Sequence, residues 1–152
     1  MAKEFRRIIA PVDGSEEAKY AAKKAIFLAE HIGLDVVAMY VKDTSVFARF
    51  PVPDDVLYFN IDKLLDKEAL SILDKVEKMG SKRGVRVIKK LVEGIPDEEI
   101  IKEAKKNDLI VMGSKGMTAL DRILIGSVSE KVLHHAPCPV MIVRKPKQEK
   151  RK

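Results

Sequence analysis

The chain has 152 residues, 46% of them hydrophobic and 34% charged, with one cysteine and a net charge of +6. That length buries about two-thirds of the surface exposed by the unfolded chain, enough for one domain held by its own core. A single cysteine excludes an internal disulfide or a thiolate zinc cluster, and apolar runs well short of the roughly 18 residues of a membrane span exclude a transmembrane helix.

Met1 to Arg7 is charged and leads straight into an apolar run without a small-residue cleavage site. No signal peptide is expected, and a cytoplasmic location follows. Arg7 to Val12 reads as a strand, and Pro11 to Ser15 as the turn that ends it, because this Pro-Val-Asp-Gly-Ser run cannot continue a ladder. Ser15 then caps a helix whose first turn holds Glu16 and Glu17. Ala18, Ala21, Ala22, Ala25, Leu28, Ala29 and Ile32 recur at helical spacing, and Gly33 ends the element. An alanine-rich face of this kind predicts close approach to a sheet.

Asp35 to Val41 is a second strand, apolar enough to be buried on both faces. Lys42 to Phe59 holds two prolines and four aromatics and exceeds ordinary loop length. It is expected to be a connection or lid that carries local structure or covers a ligand or partner surface. Ile61, Leu64, Leu65, Ala69, Ile72, Leu73 and Val76 mark a long helix, capped at Asn60 and stopped between Gly80 and Gly84. Arg86 to Glu93 is a charged strand, and the charge places it near a sheet edge.

Gly94, Ile95 and Pro96 lead into a helix with Asp97, Glu98 and Glu99 at its start and Ile100, Ile101 and Ala104 inward. Leu109 to Met112 is an apolar strand, Ser127 to His135 a final helix and Val140 to Val143 a last strand. Cys138, between two prolines, reads as a small hydrophobe, and His31, His134 and His135 at helix ends read as structural. From Arg144 to Lys152 six basic residues face one acidic, so +5 of the chain's +6 sits in this tail. The division expected is a domain over residues 1–145 and a disordered basic tail over 146–152, without a specific nucleic-acid face or a membrane partner.

Strands alternating with helices imply right-handed crossovers and an open, mostly parallel sheet covered on both faces. The fourth strand runs into Gly113, Ser114, Lys115 and Gly116, and after nine residues into Gly126 and Ser127 at the start of the last helix. Glycines admit positive φ and close backbone approach, so successive amides can face one anion, and a helix N-terminus adds its unpaired N–H groups and its dipole. A structural account fits the same residues: Gly113 ends a strand, Gly116 makes a turn, and Ser127 with Glu130 forms a capping box.

In an open α/β sheet ligands sit where the strand order reverses. If the first three strands build one way and the last two the other, the loops after the first and fourth strands face each other, bringing Asp13 to the glycines. Asp13 could then accept from a ribose or approach a nucleotide-bound magnesium; alternatively it only stabilises its turn.

Gly-x-x-Gly, nine residues, Gly-Ser, then Val-Ser and a closing Cys-Pro-Val strand resemble the universal stress protein family. The opening Ile-Ile-Ala-Pro-Val-Asp-Gly-Ser and the Val-Glu-Gly-Ile-Pro after the third strand carry the same resemblance, which spans residues 6 to 144. It implies a five-stranded parallel sheet of order 3-2-1-4-5, the Rossmann-like arrangement of the adenine nucleotide alpha hydrolase type. For the ATP-binding branch it also implies a site. Pro11, Val12 and Asp13 would lie by the adenine and ribose, with Val41 giving backbone contacts to the base. Met112, Gly113, Lys115 and Gly116 would wrap ribose and phosphates, and Gly126, Ser127, Val128 and Ser129 the phosphate tail. Lys115 stands where the family varies, so its side chain either contacts phosphate or is a solvated loop lysine.

The expected function is an ATP-binding stress-response switch, with magnesium on the nucleotide, acting through a homodimer paired along Val140 to Val143 and through an unidentified protein partner. A nucleotide-free dimeric interaction module is the first alternative. The second is a slow or partner-stimulated ATP hydrolase, though no strong candidate for activating water stands out and catalytic residues are not assigned.

Overall fold

The computed structural model of the protein describes residues 4–45, 54–116 and 125–146. Five strands, β1 (Arg7–Pro11), β2 (Asp35–Asp43), β3 (Val87–Gly94), β4 (Asp108–Gly113) and β5 (Val140–Val143), form one sheet of order β3-β2-β1-β4-β5. Every neighbouring pair is parallel. The order predicted from the resemblance is the order found, and the charged third strand stands at the edge. β1 is central: Ile9 lies opposite Val37 of β2 and Ile110 of β4.

Side chains alternate across the sheet with period two, so each strand feeds two cores. Ile8, Ala10, Val36 and Ala38 pack against α1 (Glu16–Ile32) and α2 (Asp55–Ser81). Ile9, Val37, Met39, Ile110 and Met112 pack on the other face with α3 (Pro96–Glu103) and α4 (Ser127–His135). The alanine face of α1 does what its size predicts: Ala21, Ala25 and Ala29 are almost wholly buried, and a Cβ built on Gly113 would stand 3.0 Å from the backbone carbon of Glu17. Two small-residue surfaces meet there, and backbone touches backbone.

The local signals at the ends of α1 are realised. Ser15 Oγ accepts from the Ala18 amide at 3.1 Å, and Gly33 closes the helix in the left-handed region at φ +79°. Gly14, at φ +88°, makes the turn between β1 and α1, a conformation that a side chain would strain.

The second helix differs from expectation. It starts at Asp55, not near Ile61, and its cap is Asp54, whose carboxylate accepts from the Val56 amide at 2.8 Å, so Asn60 lies inside the helix. β2 also runs two residues further, to Asp43. The Lys42 to Phe59 connection is therefore shorter than read from the sequence, and of its remaining residues, 44–54, those at 46–53 lie outside the described ones, as do 147–152 of the basic tail. α2 buries only Ala69, Leu73, Val76 and Gly80, all in its C-terminal half. Its first turns bury nothing, so no core periodicity marked them.

At the far end of the sheet from the fourth-strand loop, Asp108 is fully buried and accepts from Arg7 Nε and Nη2 at 3.1 Å and from the Lys105 amide at 2.8 Å. Burial works to raise its pKa, but the Arg7 hydrogen bonds and that amide hold it below the ordinary carboxylate range. Arg7 also reaches Glu103, which Lys90 holds from β3. One network thus ties β1, β3, β4 and α3 together. Among the described residues no helix is long and apolar enough to cross a membrane.

Candidate functional site

Beyond the C-terminal ends of β1, β2 and β4 the chain leaves a cleft of about 590 Å³, within the size range of small-molecule sites. Four stretches line it. From the first turn come Pro11, Val12 and Asp13; from β2, Val41; from the β4 end, Met112, Gly113, Lys115 and Gly116; from the start of α4, Gly126, Ser127, Val128 and Ser129. All twelve residues singled out in the sequence border this one hollow. The topology does this because β1 and β4 are adjacent while their connections depart to opposite faces of the sheet.

The first turn is held by Asp13, whose Oδ1 accepts from the Ser15 amide at 2.9 Å. Its other oxygen points across the hollow: a Cβ on Gly116 would stand 2.6 Å from Asp13 Oδ2. On the far side, the Gly126 amide donates to Ser114 O at 2.6 Å, and the Ser114 amide donates to Val143 O at 3.1 Å. A Cβ on Gly126 would meet the Lys115 Cα at 3.1 Å. The role of these glycines is therefore close approach alone. Gly113, Gly116 and Gly126 are absent from the positive-φ residues, so the left-handed freedom invoked from sequence is used at Gly14, Gly33, Gly84 and Gly94 instead. The nine-residue stretch between the two glycine turns falls at 117–124 outside the described residues, apart from Ile125.

α4 presents its N-terminus to the cleft. Its cap is Gly126, with no side-chain capping bond, so the box expected between Ser127 and Glu130 is not formed. The first helical bond runs from the Glu130 amide to Gly126 O at 2.9 Å. The amides of Ser127, Val128 and Ser129 therefore have no acceptor within the helix, and the dipole's positive end faces the same hollow. Ser129 is buried and its hydroxyl donates to Gly113 O at 2.8 Å. That proton is committed to joining β4 to α4, which leaves the backbone amide as the donor Ser129 offers.

Sequence reasoning passed over several lining residues: Met39, Tyr40, Lys42, Leu65, Pro96 and Ile100. Tyr40 is half-buried, and burial, with Glu68 and Asp13 nearby, pushes its phenol pKa upward. Lys42 is buried at the end of β2, and its ammonium meets Asp62, Asp66 and Glu93. Burial alone would lower its pKa; the three carboxylates outweigh that and raise it, so it stays charged. Cys138 is pushed up by burial and remains a thiol, as a small hydrophobe should. Among the described residues no three His, Cys, Asp or Glu side chains converge as a metal site.

The family described as the universal stress protein family matches residues 4–144. Universal stress protein MJ0531 of Methanocaldococcus jannaschii is 44% identical over 95% of this chain and 85% of its own length. The solved structure of hypothetical protein MJ0577, determined to assign its biochemical function, is 30% identical, covers 96% of this chain and all of its own, and superposes with a TM-score of 0.82. Two more distant structures, each 19% identical and covering 92% of this chain and 97–98% of their own, share the fold. One is a universal stress protein in complex with cAMP (TM-score 0.68) and the other that of Archaeoglobus fulgidus in complex with dAMP (TM-score 0.60).

Proposed function

This chain belongs to the universal stress protein family, and from that premise we propose that it binds an adenine nucleotide, ATP with magnesium, in the cleft between the β1 and β4 loops. The observation that carries the reading is the convergence of twelve residues from four separate stretches on one hollow of ligand size, with the amides of Ser127, Val128 and Ser129 unspent at one end of it. Backbone donors at a helix N-terminus suit phosphate oxygens, and the bare Cα atom of Gly116 adds no side chain beside Asp13 at the cleft.

The base belongs at the β2 side, near Val41 and between Met39 and Ile100. Asp13 also lines the cleft, where it would accept from a ribose hydroxyl or face the magnesium ion on the phosphates. Lys115 and the α4 N-terminus provide the positive end. Two proteins of the same fold have solved structures in complex with cAMP and dAMP, which supports this chemistry of ligand. Nucleotide binding changes the surface offered to a partner, and a homodimer forms along β5, the sheet edge.

A second reading, a nucleotide-free dimeric interaction module, draws on Gly113: its contact with the Glu17 backbone is a packing duty that needs no ligand. Thermal unfolding with and without Mg-ATP separates the two. ATP at a hundred times its dissociation constant adds about 2.7 kcal/mol to the folded state. A midpoint that does not move at millimolar Mg-ATP rejects nucleotide binding and leaves the interaction module.

A further inference from the structure

Lys42 occupies an unusual position. Its side chain is 5% exposed, and it lines the cleft next to Val41 in the chain. Its ammonium nevertheless has nothing to give a ligand. Nζ stands 2.6 Å from Asp62 Oδ1, 2.8 Å from Asp66 Oδ1 and 2.8 Å from Glu93 Oε1. An ammonium has three protons, and three carboxylates take them. With three negative groups to one positive, the cluster also offers no attraction to a polyphosphate at this end.

The partners show where the effect goes. Asp62 and Asp66 are four residues apart on one face of α2, and Glu93 is on the edge strand β3. The N-terminal half of α2, residues 55–68, contains no buried residue, so apolar packing does little to hold it to the sheet. On the same face, Leu65 lies between the two aspartates and lines the cleft. Lys42 borders the cleft while its ammonium pins the helix that carries Leu65, another lining residue.

We infer that Lys42 is a positioning residue of the nucleotide site: through Asp62, Asp66 and Glu93 it fastens the N-terminal half of α2 over the ends of β2 and β3 and so fixes Leu65 at the base end of the cleft. This deepens the nucleotide reading and rests on it for the ligand, but the tether itself belongs to the free protein.

The test compares the wild type with Lys42→Met, Lys42→Arg and the double variant Asp62→Asn/Asp66→Asn. The double variant removes the pins from partly exposed positions outside the cleft and so leaves the core intact. Affinities for Mg-ATP, adenosine and inorganic tripolyphosphate are measured by calorimetry, and amide hydrogen exchange is followed without ligand. The expected result is a roughly tenfold loss of affinity for ATP and adenosine alike in Lys42→Met and in the double variant. Tripolyphosphate binding stays unchanged, exchange quickens about tenfold across residues 55–66 only, and Lys42→Arg restores most of both. Unchanged ATP affinity in both tether-breaking variants of a protein whose wild type binds ATP overturns the inference alone, as does an equal loss for tripolyphosphate or faster exchange spread through the sheet. A wild type that takes up neither ATP nor adenosine overturns the nucleotide reading instead, and the exchange pattern then decides the tether by itself.

Discussion

Asp13 and Gly116 abut across the cleft: a methyl group added at Gly116 would stand 2.6 Å from Asp13 Oδ2 and, among the described residues, meet no other side chain within 4 Å. The obstacle is the tip of an exposed side chain, which can turn aside. Gly113 is different, because its added methyl would meet the Glu17 carbon and oxygen and the Ala18 nitrogen at 3.0 to 3.2 Å. Backbone cannot turn aside.

The two glycines therefore separate binding from folding. Gly116→Ala is expected to leave stability within about 1 kcal/mol of the wild type while weakening Mg-ATP binding, since the displaced carboxylate and the methyl both enter the cleft. Gly113→Ala is expected to lose about 1–3 kcal/mol of stability by prising β4 from α1. Urea unfolding of the free proteins and calorimetric titration with Mg-ATP check both. Equal stability losses, or unaltered ATP affinity in Gly116→Ala, would count against this assignment of roles.

Ser129 adds a second handle on the same junction. Its buried hydroxyl donates to Gly113 O, so Ser129→Ala leaves a carbonyl without that partner and is expected to lose about 1 kcal/mol of stability. The Ser129 amide survives the change. ATP affinity should fall less than in Gly116→Ala; a larger fall would mean that the hydroxyl, not the amide, serves the ligand.

Acid stability follows from Asp108. Its pKa lies below the ordinary carboxylate value in the folded chain, and Glu103 is lowered likewise: burial opposes the shift, and Lys90 and Arg7 outweigh it. For groups shifted in this direction the stabilisation is complete above the unfolded pKa and is lost as pH falls through the folded one. Unfolding free energy should therefore drop steeply below about pH 4. Asp108→Asn should remove about 2–3 kcal/mol at pH 7 and flatten that decline. A variant with the same pH profile as the wild type would assign the acid sensitivity elsewhere.

β5 is the sheet edge on the side of β4. Pro139 O and Val143 O accept from Ile110 and Ser114, so with period two the backbone groups of Val140 and Ile142 point away from β4. The proposed dimer uses them. Sedimentation should show a dimer at micromolar concentration for the wild type and a monomer for Ile142→Pro, whose missing N–H lies on the outward side. A monomeric wild type would contradict pairing along this edge.

Much of this was legible in the chain because local and global signals agree. The apolar runs of β1, β2 and β4, the alanine stripe of α1 and the glycine spacing each point to one element, and together to one crevice. Two features were not legible, for physical reasons. The start of α2 escaped notice because residues 55–60 are all exposed and so add no core position to the period that begins at Ile61, and only the Asp54 cap marks the entry. Lys42 read as the first residue of a connection, since its partners sit 20 and 24 residues away on α2 and also on β3. Charge pairing across elements leaves no periodic trace, whereas burial does.

The account turns on the unspent amides at the start of α4. Titration of isotope-labelled protein with Mg-ATP, followed through backbone amide resonances, tests it directly. The account predicts saturable shifts at Ser127, Val128 and Ser129 together with Asp13, Val41 and Gly116. Shifts that spare the α4 N-terminus, or none at millimolar nucleotide, would contradict it.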